Sequence, residues 1–255
     1  MTLADIGAGA GLIAFRAIDR IGSSLNVILT DISAPMLRHS ETLAVQRGIR
    51  HQCRFLECSA EKLDGINSSS VDVVTTRASL AYVSDKTAAF GEFYRVLKAG
   101  GCISLAEPIF QDEALYVRAI KARIDAPVPG RDDRYLHLMH RWMAAQFPDS
   151  AAAFAKNPLV NFSERDLVNF ARAAGFTEIH LELHIDVRPS PVTSWEVFLG
   201  SSPHPWAPPL RVILADSFTA SERQYFESIL RPQVESGRIL GSERIAYLSA
   251  RKPSP

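Results

Sequence analysis

Hydrophobic positions in the first 108 residues follow two alternating rhythms. Short apolar runs rich in Val, Ile and Leu occupy 3–6, 26–31, 53–56, 71–76 and 102–107. Between them, stretches at 11–21, 35–47 and 86–97 carry their apolar residues at helical spacing. This alternation predicts βαβ units and a doubly wound, mostly parallel sheet. The helix over 35–47 has Ser33 near its start and Pro35 in its first turn, and the helix over 86–97 is stopped by Gly100-Gly101.

Past Pro108 the rhythm changes. Residues from about 112 to 160 show helical spacing without a strand, punctuated by Pro127-Val128-Pro129-Gly130 and Pro148, and read as an inserted helical lid. Ser163-Glu164-Arg165-Asp166 has the form of a capping box with Asp in place of the usual Glu or Gln, opening a helix that ends at Gly175. A strand follows over 176–185, then a proline-rich loop (Pro189, Pro191, Pro203, Pro205, Pro208, Pro209), a helix over 221–235 and a last strand over 244–250. The expectation is a seven-stranded α/β sheet with a helical insertion after strand 5. It makes one domain over 1–255: a core (1–108), a lid (109–162), and a C-terminal part (163–255) that completes the sheet and the substrate side.

Composition narrows the functional classes. Lysine plus arginine and aspartate plus glutamate both total 28, so no net field favours nucleic acid or anionic lipid, and a small-molecule substrate is the expected partner. Although 47% of the residues are hydrophobic, polar residues interrupt every apolar run before the roughly 20 needed to span a bilayer. The first residues lack a positive n-region and carry Asp5 inside the apolar stretch, which opposes a secretory signal. Cys53, Cys58 and Cys102 read as buried thiols of a reducing, cytoplasmic setting.

The candidate chemistry starts at the N-terminus. A strand ending in Asp5 is followed by Ile6-Gly7-Ala8-Gly9-Ala10-Gly11 and then by a helix, a crossover where the backbone passes close to a ligand. A dinucleotide fingerprint, G-x-G-x-x-G, needs glycine at position 12, where Leu12 stands; the third glycine falls at 11, which favours S-adenosylmethionine (SAM) over NAD. Gly7, Ala8, Gly9 and Gly11 are therefore cofactor-binding candidates. Asp5 joins them, since a carboxylate there suits the amino group of a methionine moiety, directly or through water. Asp31 ends the next apolar strand, where a carboxylate either accepts hydrogen bonds from ribose hydroxyls or caps the helix after Ser33; Ile32 follows it on the cofactor side.

Four stretches in this order resemble the class I SAM-dependent methyltransferases, particularly the group that includes ubiquinone/menaquinone-type and small-molecule enzymes. They are the loop above; Ile28-Leu29-Thr30-Asp31; Ser59-Ala60-Glu61-Lys62-Leu63; and the run from Val71-Asp72-Val73-Val74 through Glu92 to Glu107-Pro108. The resemblance implies a Rossmann-like fold and SAM as cofactor. It makes Ser59 and Ala60 adenine contacts, with Ser59 where the family usually has an aspartate, so the bond is weaker. It also places the run Thr75–Val83 on the cofactor and substrate side. There Arg77 meets either a SAM or substrate carboxylate or a neighbouring acid. The family has a further helix or two before its first strand, whereas here the strand begins at residue 3; the expectation is that Met1 is internal to a longer reading frame, the alternative being an unusually open cofactor.

Methyl transfer from a sulfonium is an in-line displacement that needs alignment more than covalent help. Where the acceptor carries a proton, a base assists, and His137, His140 and Tyr82 are the candidates; packing or solvent exposure is the competing reading for the two histidines. No metal site is expected. Tyr116, Tyr135, Trp142, Phe147, Phe154, Trp195 and Trp206 suggest an apolar or aromatic organic acceptor. Two other functions fit part of the pattern: a SAM-binding regulatory or scaffold protein without catalysis, and, more weakly, an NAD(P)-dependent reductase.

Overall fold

The five N-terminal apolar runs form parallel strands, the central ones buried on both faces, which β-branched and leucine side chains tolerate, and the run from Cys53 more exposed, with Arg54 and Glu57 at the surface. In the computed structural model, which describes residues 1–254, they are β1 (Thr2–Ile6), β2 (Asn26–Asp31), β3 (Cys53–Glu57), β4 (Val71–Arg77) and β5 (Leu97–Pro108). Between them lie α1 (Leu12–Ile21), α2 (Ala34–Gln46) and α3 (Lys86–Val96). Then follow α4 (Gln111–Asp125), α5 (Arg134–Ala144), α6 (Ala151–Lys156), α7 (Glu164–Ala174), β6 (Thr177–Pro189), α8 (Trp195–Gly200), α9 (Leu210–Ser217), α10 (Ala220–Glu235) and β7 (Leu240–Arg251). The sheet order is β3-β2-β1-β4-β5-β7-β6; β1 to β5 pair in parallel, and β7 runs antiparallel to β5.

The chain divides into two compact units: Met1–Ile109 with Phe162–His184 and Ile245–Pro255, and Phe110–Asn161 with Ile185–Arg244. In the first, Phe15 and Ile18 of α1 pack with Leu25, Val27, Leu29 and Ala44 against one face of the sheet. Phe90 of α3 meets Phe93 and Phe170 of α7 at ring distances of 5.6 and 5.8 Å. The expected capping box is present: Ser163 Oγ accepts from the Asp166 N–H, and Asp166 Oδ2 accepts from the Ser163 N–H. In the second unit, Leu138, Trp195, Leu210, Ile213, Leu214, Phe218, Phe226, Leu230 and Val234 form a separate core.

Several elements differ from expectation, and β7 begins four residues earlier than predicted, at Leu240. The helix predicted to reach Leu97 ends at Val96, and β5 begins at once, carrying Gly100-Gly101 inside it with a register shift opposite Val71 and Val73. The stretch read as a proline-rich loop contains α8 and α9, because Pro209 occupies the N-cap, where no N–H is needed. Strand β6 extends to Pro189, beyond the predicted 185.

Candidate active site

The sheet order changes direction between β1 and β4, the topological switch point at whose carboxyl ends open α/β sheets bind ligands. The glycine loop leaves β1 there. Gly7, Gly9 and Gly11 have φ of 67°, 53° and 79°, in the left-handed region that favours glycine. A Cβ on Gly7 would stand 2.5 Å from Ser79 Cβ, and one on Gly11 2.6 Å from the Phe15 ring. On Gly9 the nearest atom would be Met36 Cε at 3.8 Å. Glycines 7 and 11 thus serve the protein's own packing, and Gly9 leaves open space beside the backbone.

Asp5 lies beneath this loop at 2% exposure. Its Oδ2 accepts the Ala14 N–H at 3.1 Å, and its Oδ1 accepts the hydroxyl of Thr75, its register partner on β4, also at 3.1 Å. Gly11 is the N-cap of α1 and has no side chain to cap with, so the Asp5 carboxylate does that work from nine residues away. Burial, opposed by those hydrogen bonds, raises Asp5 to about 6. The methionine amino group assigned to Asp5 from sequence therefore faces a carboxylate whose two oxygens are both engaged by the protein.

Asp31 is half-buried at the end of β2. Its Oδ2 accepts the Gly9 N–H and its Oδ1 the Ser33 N–H, both at 2.9 Å, so it ties the two loops and starts α2. Each oxygen retains a lone pair, as a carboxylate has about four acceptor sites. Ile32 beside it is 74% exposed, an apolar side chain presented to solvent. Cys58 donates its N–H to the Asp31 carbonyl at 3.2 Å, which brings Ser59 and Ala60 alongside. Ser59 Oγ accepts the Glu61 N–H at 3.2 Å and lies 3.3 Å from Glu61 Oε2, and Glu61 Oε1 accepts the Asp85 N–H at 2.6 Å. Glu92 of α3 accepts the Leu63 N–H at 2.7 Å and pairs with Arg95, which donates to the Ile66 and Leu63 carbonyls. The Glu92 to Gly101 run thus includes a clamp on the segment after β3.

Arg77 is exposed at the end of β4, and its guanidinium has no ion-pair or hydrogen-bond partner among the described residues. The next residue, Ala78, takes φ 52°. A group that sequence reasoning left without a role holds the loop after it. Glu107, fully buried at the end of β5, accepts the Ser79 and Leu80 N–H groups at 3.0 and 2.9 Å through Oε2, and the Thr76 hydroxyl through Oε1. Burial raises it to about 7. Lys86 is buried too, donates to the Val83 carbonyl at 3.0 Å, sits 4.3 Å above the Phe162 ring and is lowered by burial to about 8. Burial also raises the Tyr82 phenol, with Glu107 adding to it. The available signal for Glu107 was that, like Asp5 and Asp31, it is an acid closing an apolar strand.

In the second unit, His137 is exposed and lines a cavity of about 500 Å³ with Arg134, Leu138, Arg141, Ser221, Glu222 and Tyr225. His140 is not part of that lining; its Nε2 lies 3.3 Å from Asp149 Oδ2. The two histidines, three apart on α5, thus have different neighbours. Nor do the rings expected to line an acceptor pocket: Tyr135 stacks on Phe226 at 5.5 Å, Trp142 meets Phe198 and Phe226 edge-on, Trp195 stacks on Phe198, and Phe147 packs on Phe110 and His204. They fill a core because aromatic pairs gain more from burial against each other than from exposure. Tyr116 and Trp206 are exposed by 53% and 56%. Among the described residues no group of three His, Cys, Asp or Glu side chains is placed to hold a metal, and no helix is long and apolar enough to cross a membrane.

A seven-stranded sheet of this order, with a glycine loop on β1 and an acid closing β2, is the architecture of class I SAM-dependent methyltransferases. Residues 4–105 match the family described as a methyltransferase domain. The chain is 28% identical to nocamycin O-methyltransferase of Saccharothrix syringae over 256 residues, covering 98% of this chain and 84% of that enzyme. It is 36% identical over 97 residues to the ubiquinone/menaquinone biosynthesis C-methyltransferase UbiE of Xylella fastidiosa (strain M23), a match that spans 38% of each. Among solved structures, the geranyl diphosphate C-methyltransferase of Streptomyces coelicolor A3(2), in complex with S-adenosyl-L-homocysteine, shares the fold with a TM-score of 0.52 at 17% identity, covering 98% of this chain and 69% of that one. Residues 4–105 thus carry a methyltransferase domain, and the chain, similar along its length to a methyltransferase, is a SAM-dependent methyltransferase with SAM as its cofactor.

Proposed function

We propose that this methyltransferase, acting as one domain, transfers the SAM methyl group to an oxygen of a small organic acceptor. The observation that carries the cofactor half is the contrast within the glycine loop: Gly7 and Gly11 are filled by the protein's own atoms and Gly9 is left open. The acceptor half is supported by the match along 98% of the chain to a protein named an O-methyltransferase. The residues fit the cofactor. Gly7, Ala8, Gly9 and Gly11 form the cradle, with Asp5 bracing it from beneath. The spare lone pairs of Asp31 suit ribose hydroxyls, Ile32 and Ala60 offer apolar faces to adenine, and Ser59 offers a hydroxyl to its amino group. Arg77, an exposed cation at the end of β4, suits the methionine carboxylate or an acid on the acceptor.

When bound, SAM supplies a methyl group on a positively charged sulfur, open to in-line attack by the acceptor oxygen. The protein's contribution is to hold that oxygen in line and exclude water. Tyr82 is the candidate for orienting it. Because burial raises its phenol, Tyr82 stays protonated and donates a hydrogen bond rather than removing a proton. His137 lines the cavity of the second unit and His140 lies against Asp149.

Calorimetry with S-adenosyl-L-homocysteine and NADH tests the cofactor assignment. The wild type should bind the first and not the second, and Asp31→Ala should weaken binding about tenfold or more, the equivalent of roughly 1.4 kcal/mol. Binding unchanged in Asp31→Ala would remove the ribose role. Transfer of labelled methyl from SAM to a panel of hydroxylated, aminated and carbon-acid compounds tests the acceptor class; labelling confined to amines would overturn the oxygen assignment.

A further inference from the structure

Strand β6 closes the sheet, with β7 on one side and, among the described residues, no strand on the other. The contacts of Glu178 with Arg251, His184 with Tyr247 and Arg188 with Glu243 run in opposite directions along the two strands. Free edges are ordinarily short or interrupted, since a row of unpaired N–H and C=O groups invites another strand. β6 is 13 residues long, with its irregularities at its ends: Glu178 at φ 49° and Pro189.

Its two faces are strictly divided. Glu178, His180, Glu182, His184, Asp186 and Arg188 alternate on an exposed face. On the other face Ile179, Leu181 and Leu183 are half-buried, while Ile185 and Val187 are exposed by 55% and 62%. The sequence along this edge is complementary to itself in antiparallel registers centred on an apolar residue, and of these the one with Leu183 on a two-fold axis pairs all six polar side chains, where axes at Leu181 or Ile185 pair four. His180 then faces Asp186 of a second copy, Glu182 faces His184, and Glu178 faces Arg188. On the opposite face Ile179 meets Val187, Leu181 meets Ile185, and Leu183 meets itself. Moving the axis to Glu182 sets His180 against His184 and Glu178 against Asp186. Moving it to His184 sets Glu182 against Asp186 and His180 against Arg188. Both place like beside like, and a slip by a single position sets apolar side chains against polar ones.

We propose that β6 is the edge through which two copies of this chain pair, antiparallel about a two-fold axis at Leu183, so that their sheets join into one. Such an interface is isologous, with each copy presenting the same strand, which the self-complementary pattern satisfies. The side chains involved now use contacts that are themselves exposed, Glu182 at 3.0 Å from His180 and 3.1 Å from His184, and exposed pairs of this kind exchange partners at little expense.

Sedimentation equilibrium and native mass spectrometry of the full chain test this. Wild type should show twice the chain mass at micromolar concentration. Two variants make the polar face single-signed: E182K/D186K leaves it basic over 180–188, and H180E/H184E leaves it acidic over 178–186. Each alone should be monomeric, and an equal mixture should give a heterodimer. Circular dichroism and retained S-adenosyl-L-homocysteine binding establish that both variants fold. Under mild oxidation L183C should form a covalent dimer absent from wild type, whereas L181C, which faces Ile185 rather than itself, should not. A monomeric wild type, a dimer that survives in either single-signed variant, or an L183C protein that fails to cross-link would each overturn the proposal.

Discussion

The two compact units use their side chains in opposite ways. In the first, three acids (Asp5, Asp31 and Glu107) close strands and hold backbone N–H groups of the loops and first helical turn at the carboxyl ends of β1 and β4. The loops are fixed by polar geometry, and open space survives where glycine leaves it. In the second, the interior is apolar, aromatic rings packed among aliphatic side chains: Phe226 alone meets Tyr135, Trp142 and Phe218. One unit is shaped around its backbone and the other around its side-chain volume, so each should break under a different kind of substitution.

The largest effect is expected at the ring core. Phe226→Ala removes a fully buried ring and should cost about 3–5 kcal/mol, with hydrogen exchange showing loss of protection first in residues 110–161 and 185–244. Protection lost equally in both units would mean that the division carries no energetic weight. Next comes Gly11→Ala, which combines a left-handed φ with a contact of 2.6 Å to Phe15; the sum should be about 3 kcal/mol in chemical denaturation. Gly9→Ala meets only the φ penalty, about 1 kcal/mol, yet should lose most of its cofactor affinity, so the pair separates a packing glycine from a binding one.

Glu107 gives the comparison a pH axis. A carboxyl held near 7 when folded, against an ordinary value near 4.5, binds its proton more tightly in the native state. The stability this contributes is therefore complete below about pH 4.5 and lost as pH rises through 7, for a total of roughly 3 kcal/mol. Asp5, near 6, slopes the same way over a narrower window. Glu107→Gln keeps an oxygen for Ser79 and Leu80 and an NH₂ for Thr76, so thermal melts from pH 5 to 8 should flatten in the variant without loss of fold. An unchanged slope would show that Glu107 titrates normally. The smallest effect belongs to His137→Ala, an exposed position, where stability should change by no more than about 0.5 kcal/mol and the pH profile of methyl transfer should not move.

How much of this was legible in the sequence follows the same division. Strand β2 is found at the predicted residues and β1, β3 and β4 within a residue, because central parallel strands leave dense apolar runs and the short edge strand β3 still carries Cys53, Phe55 and Leu56. The glycine loop was legible because only glycine tolerates its backbone. Within it, the separate duties of Gly7, Gly9 and Gly11 were not, since they depend on Ser79 and Phe15 arriving from elsewhere in the chain. Asp5 was legible as an acid at the cofactor loop, while its hydrogen bonds to Ala14 and Thr75 were not, since they depend on the helix and strand that come to meet it. In the second unit, Leu210, Ile213 and Leu214 carried helical spacing for α9, but the surrounding prolines outweighed it. The aromatic residues were legible as apolar and not as core or pocket lining, because periodicity says which side of an element is dry and not what it is dry against.

The carboxylate of Asp5 reaching the N–H of Ala14 also sets a fixed measure on the chain. The loop and the first turn of α1 must fit between those two anchor points, so the segment behaves as a gauge of length as much as a binding surface. Residues within it can change identity where space allows. Adding or removing one would move Ala14 off the acid and leave a buried carboxylate with only the Thr75 hydroxyl as donor, and this stretch should therefore reject insertions and deletions that the surface loops of the chain accept.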